Sequence, residues 1–356
     1  MIVLGSTGSI GVNTLFIAKK FNIKVEALVG GENIDLLNSQ IKNFSPKYVC
    51  VKNKEDIKKV DHKKVFWGEE GILEILNRSN SSLVVNALVG FLGLVPTLQA
   101  IKLGKKVALA NKESLVIAGK FLDISKITPI DSEHFGLWYI LNDKKISSMI
   151  ITASGGSFRD TPLERLKDVS VKEALNHPNW SMGKKITIDS ATMANKLFEL
   201  LEARWLFDTT KIDAIIETKS VIHAIVNFVD GSSLAHIADV DMKLPIAYAL
   251  LKRVEEEILK PIDLLEVGSI EFRKIDPKRY PLWNLKDMIL KNPDLGVVLN
   301  AINEVAVEKF LKEKIKFLDI SKIVLEVIQK YKNFYARDLE DLFKIDKEIR
   351  AAYASS

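Results

Sequence analysis

The chain has 356 residues, more than one hydrophobic core usually serves, so two or three domains are expected. Apolar residues make up 47% and charged residues 27%, which excludes a disordered or fibrous protein. The net charge is only +5, and the lysines are scattered among acidic residues. This pattern is typical of solvated helix faces and argues against nucleic-acid binding. A few lysines would instead attract a phosphorylated small molecule.

Cys50 is the only cysteine, which excludes disulfides and thiolate metal clusters. It lies in a strand pattern and is predicted to be buried. A strand pattern already begins at Ile2, which argues against a signal peptide. The longest weakly charged run, 79–102, contains Asn86 and Pro96 and divides into a strand and a helix, so no membrane span is expected. We therefore predict a cytoplasmic protein.

Short β-rich runs alternate with amphipathic helical patterns through the first third of the chain. This alternation predicts a parallel sheet covered by helices on both faces. The predicted strands are Ile2–Leu4, Val25–Val29, Tyr48–Val51, Val65–Trp67, Leu83–Val89, Val107–Ala110 and Ile127–Ile130, and the clearest helices are Ile10–Phe21, Ile34–Phe44 and Leu94–Leu103.

The rhythm changes after Asp131. An irregular stretch rich in polar and aromatic residues, 154–184, is long enough to suggest an active-site lid. Around it we predict strands at Ser147–Ala153, Ile212–Thr218, Val221–Val229 and Ser233–Ile237, the last two joined by an Asp230-Gly231 hairpin turn, and helices at Met193–Phe207, Leu299–Lys312, Ile320–Tyr331 and Leu339–Tyr353.

The predicted fold class is α/β, with a Rossmann-like doubly wound parallel sheet first. We expect four segments: a dinucleotide-binding domain over 1–131, an α+β catalytic and dimerisation domain over 132–254, a linker over 255–278 and a C-terminal helical bundle over 279–356.

The first strand runs directly into Gly5, Gly8 and Gly11, which open a helix. Free backbone N–H groups and the positive end of the helix dipole would bind a pyrophosphate there. The same glycines alone would also suit a tight strand-to-helix turn. The second strand ends near Glu32, and an acid at that position usually favours a cofactor without a 2′-phosphate.

Two later strand ends carry polar residues. Asn111, Lys112 and Glu113 follow one of them and would face the ligand cleft, although a helix-capping role for Asn111 fits equally well. Asp131 and Glu133 follow another. Their carboxylates could hold a hard cation together, or simply cap a helix.

A helix starting near Ser190 places Asn195, Glu199 and Glu202 on one face, with Lys196 adjacent. Such a stripe is usually solvated, but Ser190 and Thr192 would give this helix a hydroxyl-rich N-terminus suited to an anion. The preceding loop, His177–Gly183, carries Trp180 and Met182. It either closes over a substrate or packs in a small satellite core.

Seven motifs, taken together and in order, resemble the 1-deoxy-D-xylulose 5-phosphate reductoisomerase family along essentially the whole chain. They are Gly5–Gly11, Ala110–Val116, Asp131–His134, Ser154–Gly156, His177–Gly183, Asp189–Lys196 and Glu202–Phe207.

The resemblance implies that substrate, a divalent cation (Mg²⁺ or Mn²⁺) and NADPH meet in one cleft. The metal ligands carried over are Asp131, Glu133 and Glu199, and the catalytic residues are Lys112, Glu133 and His177. The substrate-binding positions are Lys112, Ser132, Glu133, Ser154, His177, Trp180, Ser190, Asn195, Lys196 and Glu199. The cofactor contacts are Thr7, Gly8, Ser9, Ile10, Gly31, Asn33, Asn111, Glu113 and Gly183.

The implied reaction breaks and remakes a carbon–carbon bond of 1-deoxy-D-xylulose 5-phosphate, by a retro-aldol/aldol route or a direct shift. NADPH then reduces the branched aldehyde to 2-C-methyl-D-erythritol 4-phosphate, a precursor of isoprenoids in the non-mevalonate pathway. The resemblance also implies a homodimer, and the apolar hairpin Val221–Ile237 is a place where sheets could pair.

Glu32 departs from the family, which commonly carries a basic residue there, so the residues alone would favour NADH while the resemblance favours NADPH. Two rival functions are a metal-assisted dehydrogenase similar to homoserine dehydrogenase, and a non-catalytic dinucleotide sensor. The first leaves Asp131, Glu133 and Glu199 without a purpose. The second predicts nucleotide binding that does not respond to a divalent cation.

Overall fold

A computed structural model describes residues 1–354. Its strands are β1 (Ile2–Leu4), β2 (Ala27–Val29), β3 (Tyr48–Val51), β4 (Val65–Trp67), β5 (Leu83–Asn86), β6 (Lys106–Leu109), β7 (Ile127–Pro129), β8 (Ile146–Ala153), β9 (Ile212–Glu217), β10 (Ile222–Phe228), β11 (Ser233–Ile237) and β12 (Phe272–Arg273).

The α-helices are α1 (Ser9–Lys20), α2 (Ile34–Phe44), α3 (Gly68–Arg78), α4 (Leu94–Lys102), α5 (Lys112–Ala118), α6 (Ser132–Ile140), α7 (Val171–Ala174), α8 (Lys184–Thr192), α9 (Ala194–Leu206), α10 (Lys243–Leu251), α11 (Leu264–Val267), α12 (Lys286–Lys291), α13 (Leu295–Leu311), α14 (Phe317–Lys330) and α15 (Leu339–Ala354). Short 3₁₀ helices cover Lys54–Lys59, Gly90–Gly93, Gly119–Phe121, Ile124–Lys126, Leu163–Asp168 and Pro281–Leu285. In the described part of the chain, no helix is both long and apolar enough to cross a bilayer.

The packing divides the chain into two compact units. Unit 1 consists of Met1–Ser114, Leu122–Asp131 and Asp241–Leu259, and unit 2 of Leu115–Phe121, Ser132–Val240 and the described residues from Lys260 onward. The change of unit after Asp131 coincides with the change of rhythm in the sequence. The division into three domains and a linker stays a prediction, because the middle and C-terminal segments share unit 2.

Unit 1 is built on a parallel sheet of seven strands in the order β4-β3-β2-β1-β5-β6-β7. β1 lies at the centre and is completely buried, as its unbroken apolar run Ile2–Leu4 requires in a sheet covered on both faces. From β1 the chain builds the sheet outward through β2, β3 and β4, then crosses to β5 on the other side of β1 and continues through β6 and β7. This point of reversal is where doubly wound sheets bind ligands, and it confirms the predicted Rossmann-like fold.

Helix α10 is the element whose placement differs most from the predicted domain bounds. Its sequence is strongly apolar, and Ile246, Ala247 and Ala249 join the core formed by β1 and α1. The chain therefore returns to unit 1 at Asp241 after building the second sheet. Local periodicity shows that this helix is buried but does not show which core buries it.

Unit 2 contains a five-stranded sheet in the order β11-β10-β8-β9-β12. Only β8 and β9 pair in parallel, and β10 and β11 form the predicted hairpin, with Gly231 at φ +87° in its turn. β12 lies within the predicted linker and pairs with β9, so that segment is partly ordered by the sheet. Helix α13 is buried along most of its length and packs against α14 and α15, the predicted helical bundle.

Candidate active site

The glycine turn of unit 1 owes its shape to close backbone packing. Gly5 has φ +82°, and a Cβ there would lie 2.5 Å from the carbonyl oxygen of Ala87. A Cβ on Gly11 would lie 2.2 Å from the carbonyl oxygen of Gly5. Both positions therefore require glycine. The turn leads into the N-terminus of α1, where Gly8 and Ser9 are exposed and backbone N–H groups can meet a pyrophosphate.

The end of β2 lies beside this turn. The backbone N–H groups of Gly5 and Ser6 donate to the carbonyl of Val29 at 2.9 and 2.8 Å, and that of Gly31 donates to Thr7 Oγ1 at 3.4 Å. Asn33 caps α2, accepting the N–H of Leu36 at 3.1 Å. The structure thus brings together the first six predicted cofactor contacts, namely Thr7, Gly8, Ser9, Ile10, Gly31 and Asn33.

Asn111 is a structural residue in this arrangement. It is buried, and its Oδ1 accepts the N–H of Ser114 at 3.1 Å, the capping role weighed from the sequence. Its amide donates to the carbonyls of Leu88 and Gly90 at 3.0 and 2.9 Å and to Glu113 Oε2 at 3.1 Å. The side chain therefore holds the β6–α5 turn against the β5 turn, and its predicted contact with cofactor stays a prediction.

Lys112 and Asp131 form a nearly buried ion pair in unit 1. Nζ of Lys112 lies 2.5 Å from Oδ2 of Asp131, and only 8% and 17% of the two side chains are exposed. Lys112 opens α5 after β6, and Asp131 follows β7, so the carboxyl ends of adjacent parallel strands bring them together. The sequence named both residues but did not predict that they are partners.

Unit 2 holds a second and more deeply buried charge cluster, formed by Glu133 of α6 with Lys196 and Glu199 of α9. Nζ of Lys196 lies 2.7 Å from Glu133 Oε1 and 2.5 Å from Glu199 Oε2, and it also donates to the carbonyl of Thr152. The side chains of Lys196 and Glu199 are 4% and 1% exposed. Burial alone would lower the pKa of Lys196, but the two carboxylates outweigh it and raise that pKa.

The face of α9 that the sequence suggested could be solvated is therefore buried. Asn195 donates to Glu199 Oε1, and Ser132 donates to Glu133 Oε2 at 2.5 Å. His134, which belongs to the Asp131–His134 motif but for which no role of its own was predicted, is completely buried, and its Nε2 lies 2.9 Å from the carbonyl oxygen of Glu199. The side chains around the two carboxylates thus set their positions.

The expected hydroxyl-rich N-terminus of this helix is wrong. Ser190 and Thr192 lie in the last turn of α8, and Met193, with φ +65°, breaks the chain direction before α9 begins at Ala194. Ser190 still faces polar partners, but through the end of one helix rather than the start of the next. Asn303 of α13 donates to Asp189 at 2.7 Å and helps to fix this end of α8.

Ser154, His177 and Ser190 form a compact polar group in unit 2. Nε2 of His177 lies 2.9 Å from Ser154 Oγ and 3.3 Å from Ser190 Oγ. The backbone N–H groups of Asn179 and Trp180 donate to Nδ1 at 3.2 and 2.9 Å, which assigns the proton to Nε2. Burial, with a smaller contribution from the charge of Arg159, lowers the pKa of His177 to about 4.

The Ser154–Gly156 turn, like the first glycine turn, requires glycine because of its backbone conformation and close packing. Gly155 and Gly156 have φ of +89° and +69°, and a Cβ on Gly156 would lie 2.5 Å from the Cα of Ala191. Arg159, also missed from the sequence, donates to the carbonyls of Ser154 and Thr218 at 2.9 and 2.8 Å. It closes the loop around the polar group.

The predicted lid is more ordered than its composition suggested. It contains the 3₁₀ helix Leu163–Asp168 and α7, and Asn179 is tied to Thr218 and Ser220. Trp180 is half-buried, with its ring 6.2 Å from that of His223. Gly183 ends the loop as the N-cap of α8 and faces open space. Closure over substrate stays a prediction.

Unit 1 has the doubly wound sheet of dinucleotide-binding domains, and unit 2 contains buried carboxylates and a neutral histidine donor, a combination that fits a nucleotide-dependent oxidoreductase. Family models described as 1-deoxy-D-xylulose 5-phosphate reductoisomerase match residues 1–119 and, for its C-terminal domains, 127–207 and 237–352. The reductoisomerase of Nautilia profundicola is 59% identical over 98% of both chains, and that of a Helicobacter pylori strain is 51% identical over 100% of this chain and 99% of that one. The chain belongs to the 1-deoxy-D-xylulose 5-phosphate reductoisomerase family.

Solved structures agree with this assignment. A reductoisomerase crystallised with NADPH, fosmidomycin and magnesium superposes with a TM-score of 0.92 at 37% identity, covering 99% of this chain and 97% of that one. The enzyme of Zymomonas mobilis in complex with NADPH gives a TM-score of 0.89 at 35% identity with the same coverage. The family resemblance and the α/β fold predicted from the sequence are thereby confirmed.

Proposed function

We propose that this chain converts 1-deoxy-D-xylulose 5-phosphate to 2-C-methyl-D-erythritol 4-phosphate, using NADPH and a divalent cation, Mg²⁺ or Mn²⁺. The observation that carries the proposal is the cluster of Glu133, Lys196 and Glu199, in which charged groups are buried around one ammonium. Burying three charges is costly, and an apolar replacement of similar volume is often no less stable. The presence of three buried charges therefore favours a functional role.

Asp131, Glu133 and Glu199 would hold the cation. Carboxylate oxygens suit a hard cation such as Mg²⁺ or Mn²⁺. Two carboxylates around the ammonium of Lys196 leave one net negative charge in the unit 2 cluster, which would attract a cation. When bound, the cation supplies Lewis-acid stabilisation of negative charge on the substrate's oxygens. Lys196 contacts both carboxylates of the unit 2 cluster and Asn195 contacts that of Glu199, so these two side chains would keep the carboxylates in place for it.

The substrate phosphate would bind at Ser154, His177 and Ser190. Asn195 and Lys196 of α9 would also contribute to phosphate binding. Because the low pKa keeps His177 neutral near pH 7, its Nε2–H remains a hydrogen-bond donor aimed at the two hydroxyls. A neutral donor binds a phosphate without adding a buried charge. Binding energy from this remote group can be used to order Trp180 and the rest of the lid.

The remaining residues act on the carbon skeleton and the cofactor. Lys112 and Ser132 would donate to substrate oxygens. Glu133 would also orient the substrate hydroxyl that becomes the aldehyde; the proton this hydroxyl loses is balanced by one taken up at the former ketone oxygen. NADPH supplies the hydride that reduces the branched aldehyde. The glycine turn, Gly31, Asn33, Asn111 and Glu113 would hold this cofactor, with Gly183 near its nicotinamide.

The test is NADPH oxidation by the purified chain with 1-deoxy-D-xylulose 5-phosphate, in the presence of Mg²⁺ or Mn²⁺ and after their removal with a chelator. We expect oxidation only with both substrate and cation. Glu199→Gln should reduce turnover by more than about 100-fold, because outer-shell groups alone typically contribute 10- to 100-fold, while NADPH affinity changes little. Glu308→Gln, on an exposed part of α13, is the control. Oxidation that is unaffected by the chelator contradicts the proposal.

A homodimer and a cytoplasmic location belong to the same proposal. β11 is an edge strand, and Leu234 and Ile237 on it are 44% and 43% exposed, beside the exposed Trp138 and Tyr139 of α6. An uncovered apolar edge of this kind commonly pairs with another copy. Leu234→Lys should lower the sedimentation coefficient to the monomer value, whereas Leu265→Lys, on an exposed helix outside this edge, should not.

A further inference from the structure

Glu32 and Lys52 form an ion pair at the cofactor edge of unit 1. Oε1 of Glu32 lies 2.7 Å from Nζ of Lys52, and the side chains are 71% and 58% exposed. Glu32 follows β2 and Lys52 follows β3, and these strands pair in parallel with Val29 opposite Cys50. The carboxyl ends of both strands therefore place the pair at the ligand-binding edge of the sheet.

The position of the pair corresponds to the adenosine ribose of a bound dinucleotide. In doubly wound dinucleotide folds, the side chain just after the second strand, about 20 residues beyond the glycine motif, meets the ribose 2′ position. Glu32 is the residue that follows Gly31, whose N–H already reaches Thr7 of the glycine turn. Whatever stands at the ribose 2′ position therefore meets Glu32 and Lys52 together.

A lone carboxylate here would repel a 2′-phosphate, but the pair carries no net charge. An exposed ion pair is worth at most about 1 kcal/mol, so Lys52 can exchange Glu32 for a stronger partner at small cost. A phosphate monoester carries nearly two negative charges and three acceptor oxygens, and charge-assisted hydrogen bonds to it are among the strong ones. Lys54, two residues further on, lies over the ring of Trp67 instead, 5.5 Å from its centroid.

We propose that Lys52 binds the 2′-phosphate of NADPH, and that Glu32 holds Lys52 at the ribose while limiting the preference for the phosphorylated cofactor. The inference rests on the proposed use of NADPH. The basic group that binds the 2′-phosphate then comes from the residue after β3 rather than from the segment after β2. Discrimination between NADPH and NADH then depends on the balance within one ion pair.

The test is calorimetric binding of four nucleotides to the whole chain without substrate: NADPH, NADH, adenosine 2′,5′-bisphosphate and ADP. Lys52→Met should weaken NADPH and the 2′,5′-bisphosphate by about 10-fold, equivalent to about 1.4 kcal/mol, and leave NADH and ADP within about 2-fold. Glu32→Gln should strengthen NADPH binding by about 3-fold, because it removes a repelling charge of the size found for exposed pairs. Lys54→Met is the matched control, and its affinities should equal those of the unchanged chain.

Each alternative result has one meaning. Equal weakening of NADPH and NADH by Lys52→Met, or no weakening of either, overturns the assignment of Lys52. The same loss in Lys54→Met overturns it as well, because general attraction by positive charge would then suffice. Failure of the unchanged chain to bind NADPH or NADH would instead contradict the proposed function. Circular dichroism of each variant checks that it is folded.

Discussion

The sites that we propose for charged ligands in the two units are built in opposite ways. In unit 1 the glycine turn offers backbone N–H groups, and its shape depends on Gly5 and Gly11 packing against backbone atoms. In unit 2 the site is made of ionised side chains, Glu133, Lys196 and Glu199, that are buried together. The first kind of site tolerates no added side-chain atom at Gly5 or Gly11. The stability of the second kind of site depends on how many positive and negative charges it buries, because removing one of them leaves an opposite charge buried without a partner.

We expect the largest loss of stability when one of the buried charges in unit 2 is removed. Lys196→Met keeps the length of the side chain but leaves two carboxylates buried near each other, and we expect a loss of about 3–5 kcal/mol in unfolding free energy. Urea unfolding in the presence of a chelator measures it. Lys322→Met, at an exposed position on α14, should change stability by less than about 0.5 kcal/mol.

A double variant sharpens this prediction. Adding Glu199→Gln to Lys196→Met removes one of the two carboxylates that repel each other in the single variant. Part of the lost stability should therefore return. If the double variant is as unstable as the sum of the single variants, the loss comes from packing around Lys196 rather than from charge. The contrast between the two units would then be weaker than we argue.

Added volume is the corresponding test in unit 1. Gly11→Ala places a Cβ 2.2 Å from the carbonyl oxygen of Gly5, so the turn must shift. We expect a loss of about 1–3 kcal/mol, measured by urea unfolding, together with loss of NADPH binding. Gly31→Ala is the control for stability, because no atom lies within 4 Å of its added Cβ and its φ is not positive. A stable, NADPH-binding Gly11→Ala variant would contradict the steric account.

This contrast also explains how much the sequence alone predicted. Local patterns are enough for α2, β3 and β4, whose observed bounds equal the predicted ones. The glycine turn is likewise visible, because its requirement is a residue type at fixed spacing. The buried charge cluster brings Glu133 together with α9, 63 residues further along, and only the family resemblance suggested it.

Other features depend on contacts that no local pattern contains. The break at Met193 separates Ser190 from α9, yet methionine carries no preference for φ +65°. Arg159 closes the Ser154 loop through backbone carbonyls distant in sequence. Helix α10 packs in the core of unit 1, and its apolar sequence would have suited the core of either unit. Hydrophobicity alone therefore does not predict which core it joins.

A pH series tests the neutral donor in unit 2. Since the pKa of His177 falls from 6.5 to about 4 on folding, the unfolded chain binds a proton between these values that the native chain does not. Stability from this group is therefore complete above pH 6.5 and decreases as the pH falls toward 4. His177→Gln should reduce the slope of unfolding free energy between pH 6.5 and 5 by the equivalent of about one proton at most.

His236→Gln is a useful comparison for that series. Burial, and after it the charge of His223, lowers the pKa of His236 to about 4 as well, so its loss should also flatten the slope. Only His177→Gln should in addition weaken binding of the substrate, because His236 lies outside the Ser154, His177 and Ser190 group. Identical slopes in the unchanged chain and in His177→Gln would mean that the imidazole titrates alike in both states.

The smallest effect expected is at Asn33, where one side chain combines a structural and a proposed binding role. Its Oδ1 caps α2, and losing a cap costs about 1 kcal/mol. Asn33→Ala should lose this amount in urea unfolding, whereas Asn33→Ser should keep most of it, because serine caps helices nearly as well. If NADPH affinity falls equally in both variants, Asn33 contacts the cofactor through its amide. If affinity follows stability, its role is to shape the backbone, and unit 1 then binds the dinucleotide there through backbone geometry alone.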